Sequence, residues 1–221
     1  MALFVIATPI GNPGDITLRA MESLKRAELV IGEELKELRQ ILKAAGVQAP
    51  ATDQLNEHSD AQDIEHFVDQ AREKNVALVS DCGTPGFCDP GADLVKACRK
   101  AGIAVHAVPG ASSLMTFLSV CGERLDTFAF NGFVPAKREA RENFWRAVAK
   151  ETRPVILMET PYRCGKLIED LAVFLGEREI VVGLNLTQDS EQVVRARGRE
   201  LSRLIPGGDA EPIALVLPLK R

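Results

Sequence analysis

Short apolar runs alternate with stretches of helical spacing along most of this chain, and no other feature limits its possible folds as strongly. "LFVIAT" (3–8) precedes "DITLRAMESLKRA" (15–27), "ELVIGE" (28–33) precedes "ELKELRQILKAAG" (34–46), and "DAQDIEHFVDQAREKN" (60–75) leads into "VALVSD" (76–81). "GADLVKACRKAG" (91–102), "IAVHAVPG" (103–110) and "ASSLMTFLSVCG" (111–122) continue the series. Strands separated by about 10 to 15 residues of helical pattern pair in parallel through crossover connections. Residues 1–122 are therefore predicted as an α/β domain with a mostly parallel sheet and flanking helices. Asp15 is the expected N-cap of its first helix, and Gly46 the expected C-cap of its second. Beyond it, a charged helix within 126–151, "RPVILMET" (153–160), "YRCGKLIEDLAVFLG" (162–176), "EIVVGLNL" (179–186) and "PIALVLPL" (212–219) predict a smaller α/β domain over 123–221 with a mixed sheet.

Composition adds bounds rather than identity. A chain of 221 residues, 46% hydrophobic and 26% charged, can bury a sizeable core. Its net charge of -4 leaves any nucleic-acid contact to a local patch. The cysteines at 82, 88, 98, 121 and 164 are odd in number and form no CxxC pair, which points to reduced thiols. The apolar N-terminus breaks at Pro9, well short of the roughly 18 residues needed to span a bilayer. It is expected to be a buried first strand of a cytoplasmic protein with no membrane contact. His58, His66 and His106 have no ligand-like spacing, so no metal site is expected.

Three loops follow strands of the first domain: "ATPIGNPGDIT" (7–17), "DCGTPGFCDPG" (81–91) and "VPGASSLM" (108–115). Glycine admits close approach of a ligand to the backbone, and each loop leads into a helix N-terminus with unpaired amides. The spacing is not GxGxxG, so a dinucleotide reading fails. Taken singly, each loop also reads as ordinary punctuation between strand and helix. Together they mark the carboxyl edge of the sheet, where open α/β sheets bind small molecules.

In this order and spacing, "TPIGNPGDITLRA", "LVSDCGTPGFCDPG" and "VPGASS" resemble the tetrapyrrole methylase superfamily of S-adenosylmethionine-dependent enzymes. "NGFVPAK" (131–137) and "ILMETPYR" (156–163) extend the resemblance over nearly the whole chain. It is strongest to the members that methylate small-subunit ribosomal RNA. The resemblance implies S-adenosylmethionine folded into a cleft between two α/β domains, a homodimer, no metal, and 2′-O-methylation of a cytidine ribose. Carried over by position, the cofactor would meet Pro9, Gly11, Thr84, Pro85, Ala111, Ser112 and Ser113, with Met158 and Leu186 from the second domain. Asp89 is expected to cap the helix starting near Gly91 instead.

The segments expected to meet the acceptor depart from the family. "IGEELKE" (31–37) keeps Glu33 but lacks the family's Asp, Thr and Arg, and "DQLNE" (53–57) keeps Asn56 and Glu57 but neither histidine. "GGDAEPIALVL" (207–217) replaces a basic approach to the last strand. A ribose hydroxyl ionises far above neutrality, so its methylation calls for a base or a positioned charge. Glu33, Glu57 and Asp15 are the candidates, each with a bland alternative as a helix start, a surface acid or a helix cap. Arg163 and Lys137 are candidate substrate contacts; Arg163 pairs either with Glu159 or with an acceptor phosphate. Lys137, Arg138 and Arg141 form a possible RNA-facing patch, although Glu139 and Glu142 interleave them as on a solvated helix face. Two other functions remain open: the same chemistry on a small molecule, tetrapyrrole or protein, and a cofactor-binding protein without turnover.

Overall fold

Residues Val76–Val79 are buried on both faces of a sheet, as a continuous Val-Ala-Leu-Val run requires. The computed structural model describes residues 1–48, 51–87, 89, 91–205 and 207–219, and the chain divides into two compact units, Met1–Ser112 and Ser113–Arg221.

In the first unit, β1 (Ala2–Ile6), β2 (Leu29–Gly32), β3 (Ala51–Gln54), β4 (Val76–Val79) and β5 (Ala104–Val108) form a parallel sheet in the order β3-β2-β4-β1-β5. Ile6, Val30, Ala77 and Val79 point to one face, against Leu24 of α1 (Leu18–Arg26) and Leu38 of α2 (Leu35–Ala44). Leu3, Ile31, Val76 and Leu78 alternate to the other, against Phe67 of α3 (Ala61–Glu73) and Leu94 of α4 (Gly91–Lys100). Each fully buried Leu, Ile or Phe contributes about 1.5–3 kcal/mol, so the paired cores hold the strand ends in fixed positions.

Gly46 ends α2 as expected. At φ 62° it lets the Val47 amide reach Leu42 O (2.9 Å) and its own amide reach Lys43 O (3.1 Å), closing a Schellman turn. Asp15, by contrast, is not the cap of α1. Asn12 Oδ1 accepts the Gly14 amide and starts a separate 3-10 turn over Pro13–Asp15, and Thr17 Oγ1 accepts the Ala20 amide at 3.0 Å as the true N-cap.

The second unit opens with α5 (Ser113–Val120) and holds β6 (Ala129–Phe133), β7 (Val155–Met158), β8 (Glu179–Leu184), β9 (Gln192–Arg197) and β10 (Pro212–Val216). Their order is β6-β7-β10-β8-β9, with only β6 and β7 parallel. Trp145 of α6 (Arg138–Lys150), Leu167 and Leu171 of α7 (Cys164–Leu175) and Leu201 of α8 (Leu201–Leu204) cover one face of this sheet. On the other lies Phe117 of α5, so close to Gly183 that a Cβ there would sit 2.8 Å from its ring. The contacts thus group α5 with the second unit, whereas the sequence reading draws the junction at 122.

β3, β6 and β9 carry no strong sequence signal. β3 is a short polar edge strand, and Asn131-Gly132 forms a bulge in β6, with Gly132 at φ 65°. β9 is the opposite edge, with Val194 and Ala196 facing inward. Cys82, Cys98, Cys121 and Cys164 are thiols, and Cys88 lies outside the described residues. Among the described residues no helix is long and apolar enough to cross a membrane.

Candidate functional site

The three loops of the first unit meet because β1 lies between β4 and β5. Thr8, 1% exposed at the end of β1, is the staple. Its amide donates to Gly83 O (2.9 Å), its hydroxyl donates to Ser80 O (2.9 Å), and the same oxygen accepts the Gly83 amide (3.1 Å). Gly83 is at φ +85°, and a Cβ there would meet Ile10 Cγ2 at 3.2 Å, so only glycine fits this junction. The third loop is tied in by the Ala7 amide to Val108 O (3.0 Å) and by Thr84 Oγ1 donating to Ala111 O (3.1 Å). Asp89 folds the middle loop on itself, accepting the amides of Gly86 (2.7 Å) and Gly91 (2.9 Å) as α4 begins. That is the structural role expected of it.

This arrangement brings Pro9, Gly11, Thr84, Pro85, Ala111 and Ser112 to one edge of the first sheet. Gly11 and Thr84 are exposed, Pro9, Ala111 and Ser112 half-buried, and Pro85 buried. Ser113 opens α5 in the second unit. There Met158 ends β7 opposite Ile213, and Leu186 is buried just after β8. Asn185 (φ 50°) and Thr187 (φ 67°) flank Leu186 in left-handed conformations, which for the β-branched Thr187 costs of order 1–3 kcal/mol. Asn185 is held by its Oδ1 accepting the Glu211 amide at 2.8 Å. No sequence pattern announced this strain.

Carboxylates gather at the same edge of the first unit. Ser80 Oγ donates to Glu33 Oε1 (3.2 Å), and the Glu34 amide donates to Asp81 Oδ1 (3.1 Å). Burial, then the neighbouring charges of Asp81 and Asp89, raise the Glu33 pKa above its ordinary value against the opposing Ser80 bond. Burial likewise raises Asp81, opposed by the Glu34 amide. A half-buried carboxylate of this kind is a better base than an exposed one, and the cluster's field favours a cationic ligand. Glu57 is placed differently, its side chain 87% exposed beyond the edge strand β3 and 3.9 Å from His58. Asn56 closes that turn, accepting the His58 amide at 2.9 Å. Asp15 is exposed in its 3-10 turn. Of the three candidate bases, the structure seats only Glu33 against a central strand.

The second unit corrects the basic patch. Arg141 is 8% exposed and forms ion pairs with Glu159 (2.9 Å) and Asp170 (2.5 Å), so it does not belong to a solvent-facing surface. Trp145 Nε1 also donates to Asp170 (2.9 Å). The cause is helical register: Arg141, Trp145 and Val148 share the inner face of α6. Arg163 Nη2 pairs with the buried Glu159 at 2.6 Å. Lys137 and Arg138 remain exposed, Arg138 beside Glu142 at 3.2 Å. Among the described residues no group of His, Cys, Asp and Glu side chains is arranged to hold a metal.

The chain's relatives agree with this architecture. Ribosomal RNA small subunit methyltransferase I of Neisseria meningitidis serogroup B is 39% identical over 190 residues, which cover 86% of this chain and 65% of that protein. The enzyme of the same name from Leptospira biflexa is 35% identical over 216 residues, covering 97% of this chain and 90% of its own. Among solved structures, a diphthine synthase superposes with a TM-score of 0.79 at 16% identity, covering 98% of this chain and 89% of that one. A uroporphyrin-III-C-methyltransferase from Thermus thermophilus superposes with a TM-score of 0.67 at 22% identity, over 98% and 94% of the two chains. These two establish the fold alone. The family model of the tetrapyrrole (corrin/porphyrin) methylases matches residues 2–202, and the chain belongs to that family.

Proposed function

We propose that this chain is an S-adenosylmethionine-dependent methyltransferase that acts on a cytidine ribose 2′-hydroxyl of small-subunit ribosomal RNA, as a cytoplasmic homodimer. The observation that carries the reading is the 39% identity over 190 residues to an enzyme so named.

The stapled edge of the first unit suits the methyl donor. Gly11, Ala111 and Ser112 are small, the Thr84 and Ser112 hydroxyls match a ribose and an amino-acid tail, and Glu33, Asp81 and Asp89 favour a sulfonium cation. When bound, the donor supplies an electrophilic methyl group. The chain's own part is to hold it rigidly, to orient the acceptor in line, and to accept the acceptor's proton, which we assign to Glu33. A different acceptor is the second reading, favoured by Leu55: it stands at the second missing histidine of "DQLNE" and is 2% exposed, so its side chain meets the core rather than a substrate.

Calorimetry with S-adenosylhomocysteine is expected to show saturable binding that Ser112→Trp abolishes. Tritiated methyl groups are expected to enter small ribosomal subunits from a deletion strain, at a ribose that becomes resistant to alkaline cleavage. Incorporation into a base or a protein instead would overturn the ribosomal assignment.

A further inference from the structure

Tyr162 is the chain's only tyrosine, and it is 84% exposed. It sits on a 3-10 turn, Pro161–Arg163, where Pro161 restricts the backbone and the Arg163 amide donates to Thr160 O at 3.0 Å. The ring therefore stands on a stiff support, two residues before Cys164, the first residue of α7.

One exposed aromatic is ordinary. Its neighbour makes this one unusual. The Arg163 guanidinium is held by Glu159 at 2.6 Å and by Thr160 Oγ1 at 3.3 Å, yet 30% of the side chain stays exposed. Its counter-charge Glu159 is wholly buried, so the outward side of the pair is cationic. The buried Arg141 ties a second loop to the same carboxylate: its Nη1 donates to both Glu159 (2.9 Å) and Pro135 O (3.2 Å), which brings the turn bearing exposed Lys137 and Arg138 to this end of the sheet.

We infer that the turn 160–163 is a platform for an unpaired RNA nucleotide, with Tyr162 stacked on its base and Arg163 holding an adjacent phosphate. This inference rests on the RNA reading above. Unpaired bases are recognised by stacking on aromatic rings beside guanidinium groups, and a ribose hydroxyl approached in line lies in an unstacked segment rather than inside an A-form helix. The residues Thr-Pro-Tyr-Arg contain no carboxylate to repel a phosphate. Glu159, Arg141 and Asp170 are positioning residues that fix the platform from beneath.

The test is anisotropy of a fluorescein-labelled single-stranded RNA oligonucleotide carrying the small-subunit target sequence. Tyr162→Ala is expected to weaken binding at least about fivefold, and Tyr162→Phe to bind within about twofold of the parent, because the ring stacks and the hydroxyl does not. Affinity for S-adenosylhomocysteine is expected to be unchanged in both. With 5-iodouridine in the RNA, irradiation is expected to cross-link the peptide containing Tyr162. Equal RNA affinity for Tyr162→Ala, a cross-link confined to other peptides, or a Tyr162→Ala defect in sedimentation rather than in RNA binding would each overturn the platform. If the parent methylates RNA and Tyr162→Ala does so with unchanged KM, only the platform fails; if the parent neither binds nor methylates RNA, the functional reading falls with it.

Discussion

Thr8 and Gly83 are joined in both directions: the Thr8 amide donates to Gly83 O at 2.9 Å, and the Gly83 amide donates to Thr8 Oγ1 at 3.1 Å. A buried hydroxyl thus decides how two loops of the ligand edge meet. Thr8→Val keeps the volume and strands the Gly83 amide, with an expected loss of about 1–3 kcal/mol. Urea titration would measure it, and Thr8→Ser is expected to recover most of the loss. A Thr8→Val midpoint equal to the parent's would remove the staple from the account.

Gly83→Ala meets two obstacles, a φ of +85° and a Cβ 3.2 Å from Ile10 Cγ2. The expected cost is about 1–3 kcal/mol, together with weaker S-adenosylhomocysteine binding by calorimetry, since the backbone moves at the ligand edge. An unperturbed affinity would mean that this loop does not touch the ligand.

Glu33 gives a pH dependence of definite sign. Its folded pKa is raised above the ordinary 4.5, so between that value and the folded one the native state holds more protons than the unfolded state. Stability from this group falls as pH rises through that window. Glu33→Gln is expected to flatten the decline, matching the parent near pH 4 and exceeding it at pH 7 in urea midpoints. Methyl transfer is expected to drop by about 100-fold or more, with affinity retained for S-adenosylhomocysteine, whose thioether lacks the sulfonium charge. A variant with full turnover would exclude Glu33 as the base.

Glu159 is buried between Arg141 and Arg163, at 2.9 and 2.6 Å. Glu159→Leu leaves those guanidinium groups short of a counter-charge, with an expected cost of about 3–5 kcal/mol. Glu159→Gln, which keeps a hydrogen-bond acceptor, is expected to lose less in thermal or urea unfolding.

Residues with one dominant environment were legible in the sequence. β4 and β8 are near-continuous apolar runs covered on both faces, and Gly46 sits where a helix must stop. Edge strands were not: "ATDQ" and "QVVRAR" meet solvent on one side, and β6 is interrupted by a bulge at Asn131-Gly132. The Gly- and Pro-rich loops marked the carboxyl edge of the first sheet, but the Thr8 contacts that join them link residues 72 and 75 positions apart, which no local pattern encodes. Arg141 was misplaced although its signal was present, since Trp145 and Val148 follow it at helical spacing on an inward face.

The sheet order has a consequence for synthesis. β1 pairs only with β4 and β5, so a growing chain carries its first strand without a neighbour until Val76–Val79 have been made, and the ligand edge lacks one wall until Val108 has followed. Meanwhile β2 and β3 can already pair with each other. The stapled loop edge is thus a late product of translation, closed by long-range contacts that fold slowly, and a nascent chain halted before residue 76 exposes an unpaired apolar strand to chaperones.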